Sequence, residues 1–299
     1  MILTRKFRDG LFGILTLMPA ALIVGICLLI PVVRTVGYSF LDYKLSRSAS
    51  RAKPAFVGIK NYMKTIESGE LWNSLVITVV FVFWVTLILF LMGMALSLLL
   101  SGVRRGGKVL RGIVLLPWIT PTIISALLWT WIFQPQYGAL NFILKSAGIL
   151  SENAAWLADP DLALPSIMTA AIWKQLPFMF LMLLAGLQGI PKELHEAAII
   201  DGATPLQDFF AVTLPSLRNV IRTTILMTII ANFKQFPLFQ IMTNGGPMNR
   251  TTNLAILSYR HAFGNLDFGS GAAVATVWLA ILVVFSLVYG KIFPEGERE

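Results

Sequence analysis

Glu196-Ala197-Ala198-Ile199-Ile200-Asp201-Gly202-Ala203 is an acidic, sharply punctuated stretch set between two long apolar runs. Its residues predict two short helices joined by one tight turn. Pro191 is placed to open the first at N1, where its missing N–H costs nothing. Leu194, Ala197 and Ala198 follow at i, i+3 and i+4 and form one small apolar face. Gly202 stands where a closing helix needs a left-handed residue. Thr204, Pro205 and Gln207 spell a capping box for the second helix, and Pro215 is expected to limit its length. A polar helix-Gly-helix of this kind reads either as an ordinary interhelical loop or as a shape for docking onto another protein.

The runs on either side decide the fold class. Of 299 residues, 56% are hydrophobic and 13% charged, against roughly 25% charged in soluble domains. Leu11–Val33 and Phe268–Gly290 are each 23 residues without Asp, Glu, Lys, Arg or His, enough to cross a hydrocarbon core. Leu71–Val103 and Gly112–Leu144 are longer, and each holds a span and a flank. Leu162–Ile190 is interrupted by Lys174 alone, and Ile225–Met242 by Lys234 alone. The expectation is an all-α polytopic membrane protein with six transmembrane helices. Pro117 and Pro121 interrupt the third span, whose freed backbone groups must be satisfied by neighbouring helices or water. The first run, after Arg5, Lys6 and Arg8, is too long for a secretory h-region and is read as an uncleaved helix.

The net charge of +9 does not point to nucleic acid, because the basic residues lie at span ends and not on one face with interleaved aromatics. With both termini inside, twelve Lys and Arg fall in cytoplasmic segments and ten outside, Lys174 and Lys234 being in spans. Local concentration in Arg104-Arg105-Gly106-Gly107-Lys108 supports this orientation more than the count does. Cys27, the one cysteine, lies inside the first span, so no disulfide forms within the chain. His195 and His261 are far apart and have no ligand pair nearby, which argues against a metal site.

No Asp or Glu falls in any of the six spans. Proton- and sodium-coupled carriers usually hold an intramembrane carboxylate as the titrating or ion-binding group, so a secondary carrier is disfavoured. The chain also has no Gly-x-x-x-x-Gly-Lys-Ser/Thr loop to cradle phosphates. Driving energy is therefore expected from a separate ATPase, with no cofactor bound by this chain itself. An intramembrane hydrolase is the rival from another class, with Ser270, between Gly269 and Gly271, as nucleophile and His261 as base. Small residues beside Ser270 serve equally for close helix approach, and no third group is placed to orient the base.

Glu196-Ala197-Ala198 with Asp201-Gly202-Ala203 and Leu214-Pro215 resembles the EAA motif of binding-protein-dependent ABC importer permeases. Other motifs are similar to the carbohydrate-uptake branch, the one that includes the maltose and glycerol-phosphate first permeases. They are Phe56-Val57-Gly58-Ile59-Lys60-Asn61-Tyr62, Trp173-Lys174-Gln175, Leu187-Gln188-Gly189-Ile190-Pro191, Thr243-Asn244-Gly245-Gly246-Pro247 and Tyr259-Arg260-His261-Ala262-Phe263. The resemblance covers roughly residues 56 to 290. It implies a type I importer fold in which the loop 189–215 carries a cytoplasmic coupling helix. Glu196, Ala197, Ala198, Asp201, Gly202 and Ala203 would then meet the ATPase. The implied organisation is a cytoplasmic N-terminus at 1–10, a permease domain at 11–290 and a cytoplasmic tail at 291–299, in a bacterial or archaeal inner membrane. The implied partners are a second homologous permease, two ATPases that carry ATP and Mg, and an extracytoplasmic binding protein.

The polar residues that enter the spans are few. Thr228, Asn232 and Gln235 fall at i, i+4 and i+7 and are expected on one face of the fifth span. In the fourth, Lys174 and Gln175 stand just before Pro177 and Phe178. Such residues serve either as interhelical glue or as a polyol site in which amides bond hydroxyls and Phe178 stacks on a sugar face. Positions matching the substrate site of the maltose permease fall on Thr228, Asn232, Gln235 and Phe178. Of these only Asn232 keeps the residue type. A lysine inside a span must snorkel or face a wet cavity. Lys174 is expected to snorkel. Lys234, about 100° around the helix from Gln235, is expected either to border the cavity, where it would suit an anionic group on the substrate, or to pack against helix-end carbonyls beside a neutral ligand. His195 and His261 are read as structural.

Overall fold

The computed structural model describes residues 2–45, 54–103 and 106–293, with side chains at 12–45, 54–103, 106–107 and 109–293. The Arg5, Lys6, Arg8, Arg104, Arg105 and Lys108 side chains and the tail 294–299 lie outside the described residues. The chain divides into two compact units, Met1–Leu71 with Leu257–Leu279 and Trp72–Ile256 with Ala280–Glu299.

In the first unit, α1 (Ile2–Val24) runs through a π turn at Gly25–Leu29 into α2 (Ile30–Ser39). Ile30 N–H reaches back to Gly25 O, which accommodates Pro31 without breaking the span. The apolar stretch of this span is 0% buried within the chain. Beyond it, β1 (Leu41–Asp42) pairs antiparallel with β2 (Ala55–Phe56), the one strand pair among the described residues. The amphipathic α3 (Lys60–Glu67) follows, and its Asn61 donates to Ser39 O at 2.8 Å and Leu41 O at 2.9 Å.

The second unit is built around α4 (Glu70–Ser101) and α8 (Ala163–Gln188). Phe81, Val85 and Leu89 form a buried stripe on α4 at helical spacing. A Cβ at Gly93 would strike the Met179 side chain at 2.5 Å, so glycine is what lets α4 and α8 approach. Between these helices in sequence lie α5 (Gly107–Ile119), α6 (Thr122–Ile132) and α7 (Ala139–Ser146). After α8 come α9 (Lys192–Ile200), α10 (Pro205–Asp208), a π turn at Phe209–Thr213, α11 (Leu214–Ser216), α12 (Arg218–Phe233) and α13 (Pro237–Met242). The ring of Phe81 on α4 packs edge-on against Phe239 of α13, 4.8 Å between centroids. The chain returns through α14 (Leu254–Tyr259) and ends in α15 (Phe268–Ile292).

Among the described residues, four helical stretches are long and apolar enough to cross a membrane: Phe12–Ser39, α4, α8 and α15. The expected third span is the pair α5 and α6, bent by 95° at its break. Thr120 is extended there, with ψ 129°, because Pro121 disfavours a helical residue before it. The expected fifth span is likewise not one helix. It ends at Phe233, and Pro237 starts α13. Gln235 therefore does not share a helical face with Thr228 and Asn232. Two smaller expectations also change. Pro191 is the N-cap of α9, with ψ 134°, and not its first helical residue. The helical backbone also continues past Pro215 to Ser216, because the π turn, with Leu214 N–H on Phe209 O, shifts the hydrogen-bond register ahead of the proline.

Candidate functional site

The break after α12 and the break between α5 and α6 bring polar groups together beside α8. A cavity of about 440 Å³ is lined by Trp118, Lys174, Gln175, Phe178, Met227, Thr228, Ala231 and Gln235. Gln175 Nε2 donates to Asn232 Oδ1 at 2.8 Å. Asn232 is 1% exposed, and its Nδ2 has no partner among the described residues. In the lining itself, the Thr228 hydroxyl donates to Thr224 O at 2.8 Å, which leaves its lone pairs unused. Gln235 is positioned through its backbone: its carbonyl accepts from Asn253 Nδ2 at 2.7 Å, and its N–H donates to Asn232 O at 3.1 Å. Phe178 stacks with Trp118, 6.4 Å between centroids and 29° between planes.

The cation at this cavity is Lys174, and Lys234 is not among its lining residues. Because α12 stops at Phe233, Lys234 sits in the break as an exposed C-cap residue, and its expected offset around a helix does not apply. Lys174 is half-buried, and its Nζ donates to Thr120 O at 2.6 Å, the carbonyl at the α5–α6 break. An ammonium carries three N–H donors, so two remain for other acceptors. Trp118, Met227 and Ala231 join the site without having been singled out in the sequence. Trp118 adjoins Pro117 in the interrupted span, and that position was the available signal. Two other cavities of the second unit offer less. One, about 530 Å³, has only Thr86 as a polar lining side chain among apolar groups of α4, α12 and α15. The other, about 450 Å³, is lined by the 243–247 turn with Gln134 and Thr130.

The loop after α8 has the two-helix form its residues predict. Gly202 turns at φ +78°. Thr204 and Gln207 make both bonds of the capping box, Gln207 N–H to Thr204 Oγ1 at 3.4 Å and Thr204 N–H to Gln207 Oε1 at 2.8 Å. Glu196, Ala197, Asp201 and Gly202 are exposed, Ala198 and Ala203 half-buried, and α9 buries no residue. Across the turn, His195 Nδ1 lies 2.9 Å from both carboxylate oxygens of Asp208. Nothing local announces this pairing beyond two polar residues 13 apart.

In the first unit, Ser270 is fully buried, and its hydroxyl donates to Asp267 Oδ2 at 2.9 Å. Asp267 caps α15: its Oδ1 accepts the Ser270 N–H at 3.0 Å, and Lys64 Nζ lies 3.0 Å from Oδ2. Burial alone would raise the Asp267 carboxyl, but the bonds from Ser270 and Lys64 together hold it below the ordinary carboxylate value. His261 Nε2 faces Glu70 Oε2 at 3.2 Å. Ser270 is thus a capping residue and His261 a partner of Glu70, so the hydrolase pair is not assembled. A Cβ at Gly269 would collide with Leu41 O, and one at Gly271 would meet Ala262 at 2.8 Å. The small residues there serve close approach.

Residues 90–294 match the family described as binding-protein-dependent transport system inner membrane component. The chain is 36% identical over 289 residues to the trehalose/maltose transport system permease protein MalF of Thermococcus litoralis, covering 96% of this chain and 95% of that one. It is 34% identical over 284 residues to the sulfoquinovosyl glycerol transport system permease protein SmoG of Agrobacterium fabrum, covering 95% and 91%. Among solved structures, a chain of a bacterial alginate ABC transporter in complex with alginate pentasaccharide-bound periplasmic protein superposes with a TM-score of 0.83. It covers 98% of both chains at 20% identity, a likeness of fold. The chain belongs to the family of binding-protein-dependent transport system inner membrane components, as a permease subunit of an ABC importer.

Proposed function

We propose that this permease passes a sugar, oligosaccharide or polyol derivative through the cavity beside α8. The observation that carries this is the Gln175–Asn232 amide pair, with the unused Asn232 Nδ2 behind it and the Phe178–Trp118 stack beside it. Amides both donate and accept, as a row of hydroxyls requires, and an aromatic face suits the apolar face of a sugar ring. Relatives named for trehalose/maltose and for sulfoquinovosyl glycerol support the carbohydrate class. Lys174 supplies the charge that an acidic substituent would use, a role assigned to Lys234 on sequence alone. Thr228 and Gln235 complete the polar lining.

Coupling is placed at residues 189–215, with Glu196, Ala197, Ala198, Asp201, Gly202 and Ala203 against a cytoplasmic ATPase. The permease domain is taken as 11–290, with the segments 1–10 and 291–299 cytoplasmic. A second homologous permease, two ATPases and an extracytoplasmic binding protein complete the transporter, and ATPase closure switches access to the cavity. The test is uptake of trehalose, maltose and a sulfonated or phosphorylated sugar by vesicles carrying the complete complex. Gln175→Ala and Phe178→Ala are expected to lower uptake of whichever sugar the wild type carries, by about ten-fold, with assembly intact. Wild-type rates in both variants would place the substrate elsewhere.

A further inference from the structure

We propose that the His195–Asp208 pair is a clasp that makes α9 and α10 move as one body, a proposal that rests on residues 189–215 being the coupling loop. Neither helix buries a residue, so no buried apolar core sets the angle between them. The backbone bonds of the turn all return to α9: Asp201 N–H to Ala197 O, Gly202 N–H to Ile199 O and Ala203 N–H to Ala198 O. The capping box on the other side stays within Thr204 and Gln207. The joint between Ala203 and Thr204 is therefore spanned by no backbone bond of its own. Among the described residues, His195 to Asp208 is the side-chain hydrogen bond that bridges it, at 2.9 Å to each carboxylate oxygen.

The position of the clasp gives it a transmitting role. A push on α9 can reach the cavity by two routes, back through Gly189–Pro191 into α8 and forward through α10 and the π turn to Leu217 and then along α12, which carries Thr228 and Asn232; the clasp serves the second. Leu217 is fully buried, and a Cβ at Gly186 of α8 would meet it at 2.7 Å, so the far end of this path is tightly packed. The near end has no fully buried side chain of this kind, and a looser joint there would absorb part of the motion. Nδ1–H can donate to the carboxylate whether the imidazole is neutral or protonated, so the clasp requires a hydrogen bond and not a permanent ion pair. The pair is partly exposed, 34% for the His195 side chain and 23% for Asp208, which leaves it free to act at a protein–protein surface.

The experiment uses the complete complex, purified through a tag on this chain and placed in nanodiscs. Cys27 is replaced by serine, and nitroxides are attached at Ile199→Cys and Phe210→Cys, positions 70% and 59% exposed. The wild type should give a narrow distance distribution. His195→Ala and Asp208→Ala should each broaden it and lower the rate of Mg-ATP hydrolysis by about three- to ten-fold, and the double variant should be no worse than either single one. Asp208→Asn keeps an accepting oxygen and should restore both the narrow distribution and the rate, which a general loss of stability would not do. Unbroadened distributions in both alanine variants, or additive losses of rate, overturn the clasp. Glu196→Lys separates the underlying assumption. Wild-type hydrolysis and ATPase co-purification in Glu196→Lys would mean that this loop is not the coupling element. A defect in Glu196→Lys beside wild-type behaviour in both alanine variants would leave coupling in place and remove the clasp alone.

Discussion

Asn232 is almost completely buried, with its oxygen held by Gln175 and its N–H groups unused. A buried polar group left without a partner costs about 1–3 kcal/mol, and a substrate hydroxyl that reaches it would offset that cost. Asn232→Ala should therefore slow uptake by about ten-fold while the complex assembles normally, which initial rates over a range of sugar concentrations would show. Lys174 has a second task beside the charge it offers the cavity, since its ammonium satisfies the Thr120 carbonyl at the α5–α6 break. Lys174→Met should lower stability by about 1–3 kcal/mol in thermal unfolding of the nanodisc-embedded protein. An unchanged midpoint would mean that another donor takes over Thr120. Asp267 adds a pH dependence. Its carboxyl is held below its unfolded value of about 3.9, so its contribution is present above that pH and is lost as pH falls through the lower folded value. Asp267→Ala should remove about 0.5–2 kcal/mol at neutral pH and flatten the loss of stability below about pH 4.

Among the elements, the loop 189–215 proposed for coupling is the one most completely written in its local sequence. Gly202 sits at φ +78°, where a Cβ costs roughly 1–2 kcal/mol. Gly202→Val should uncouple ATP hydrolysis from uptake at normal expression, whereas Gly202→Asn should be tolerated because Asn accepts the left-handed conformation. Equal uptake by the two variants would show that the turn geometry does not matter. Gly202, Thr204 and Gln207 were legible because capping and turn chemistry act over four or five residues. The spans were legible because lipid demands long apolar runs. Apolarity does not distinguish a continuous helix from a broken one, however, and Ile225–Met242 is the case in point. Pro237, a helix-starting residue, was the local sign that α12 would stop short. Once it stops, Gln235 reaches the cavity from the break and Lys234 does not line it.

For the whole molecule, what stayed hidden in the sequence is what needs the chain to come back on itself. Lys64 meets Asp267 across 203 positions and Gln175 meets Asn232 across 57, and no periodicity announces either pair. Lys174 was read as a snorkelling residue because nothing local shows that an opened backbone lies across from it. The motor follows from what the spans lack. With no intramembrane carboxylate to couple an ion gradient and no phosphate-cradling loop, entry of force from another subunit, through the loop 189–215 proposed for coupling, is the consistent arrangement. The most direct test is uptake of a labelled carbohydrate by sealed vesicles that hold the complete complex, measured with and without internal ATP and with a protonophore present. Uptake should require ATP and the binding protein, should persist when the proton gradient is collapsed, and should vanish in Glu196→Lys. Uptake by this chain alone, driven by an ion gradient and indifferent to ATP, would contradict the ATP-driven permease.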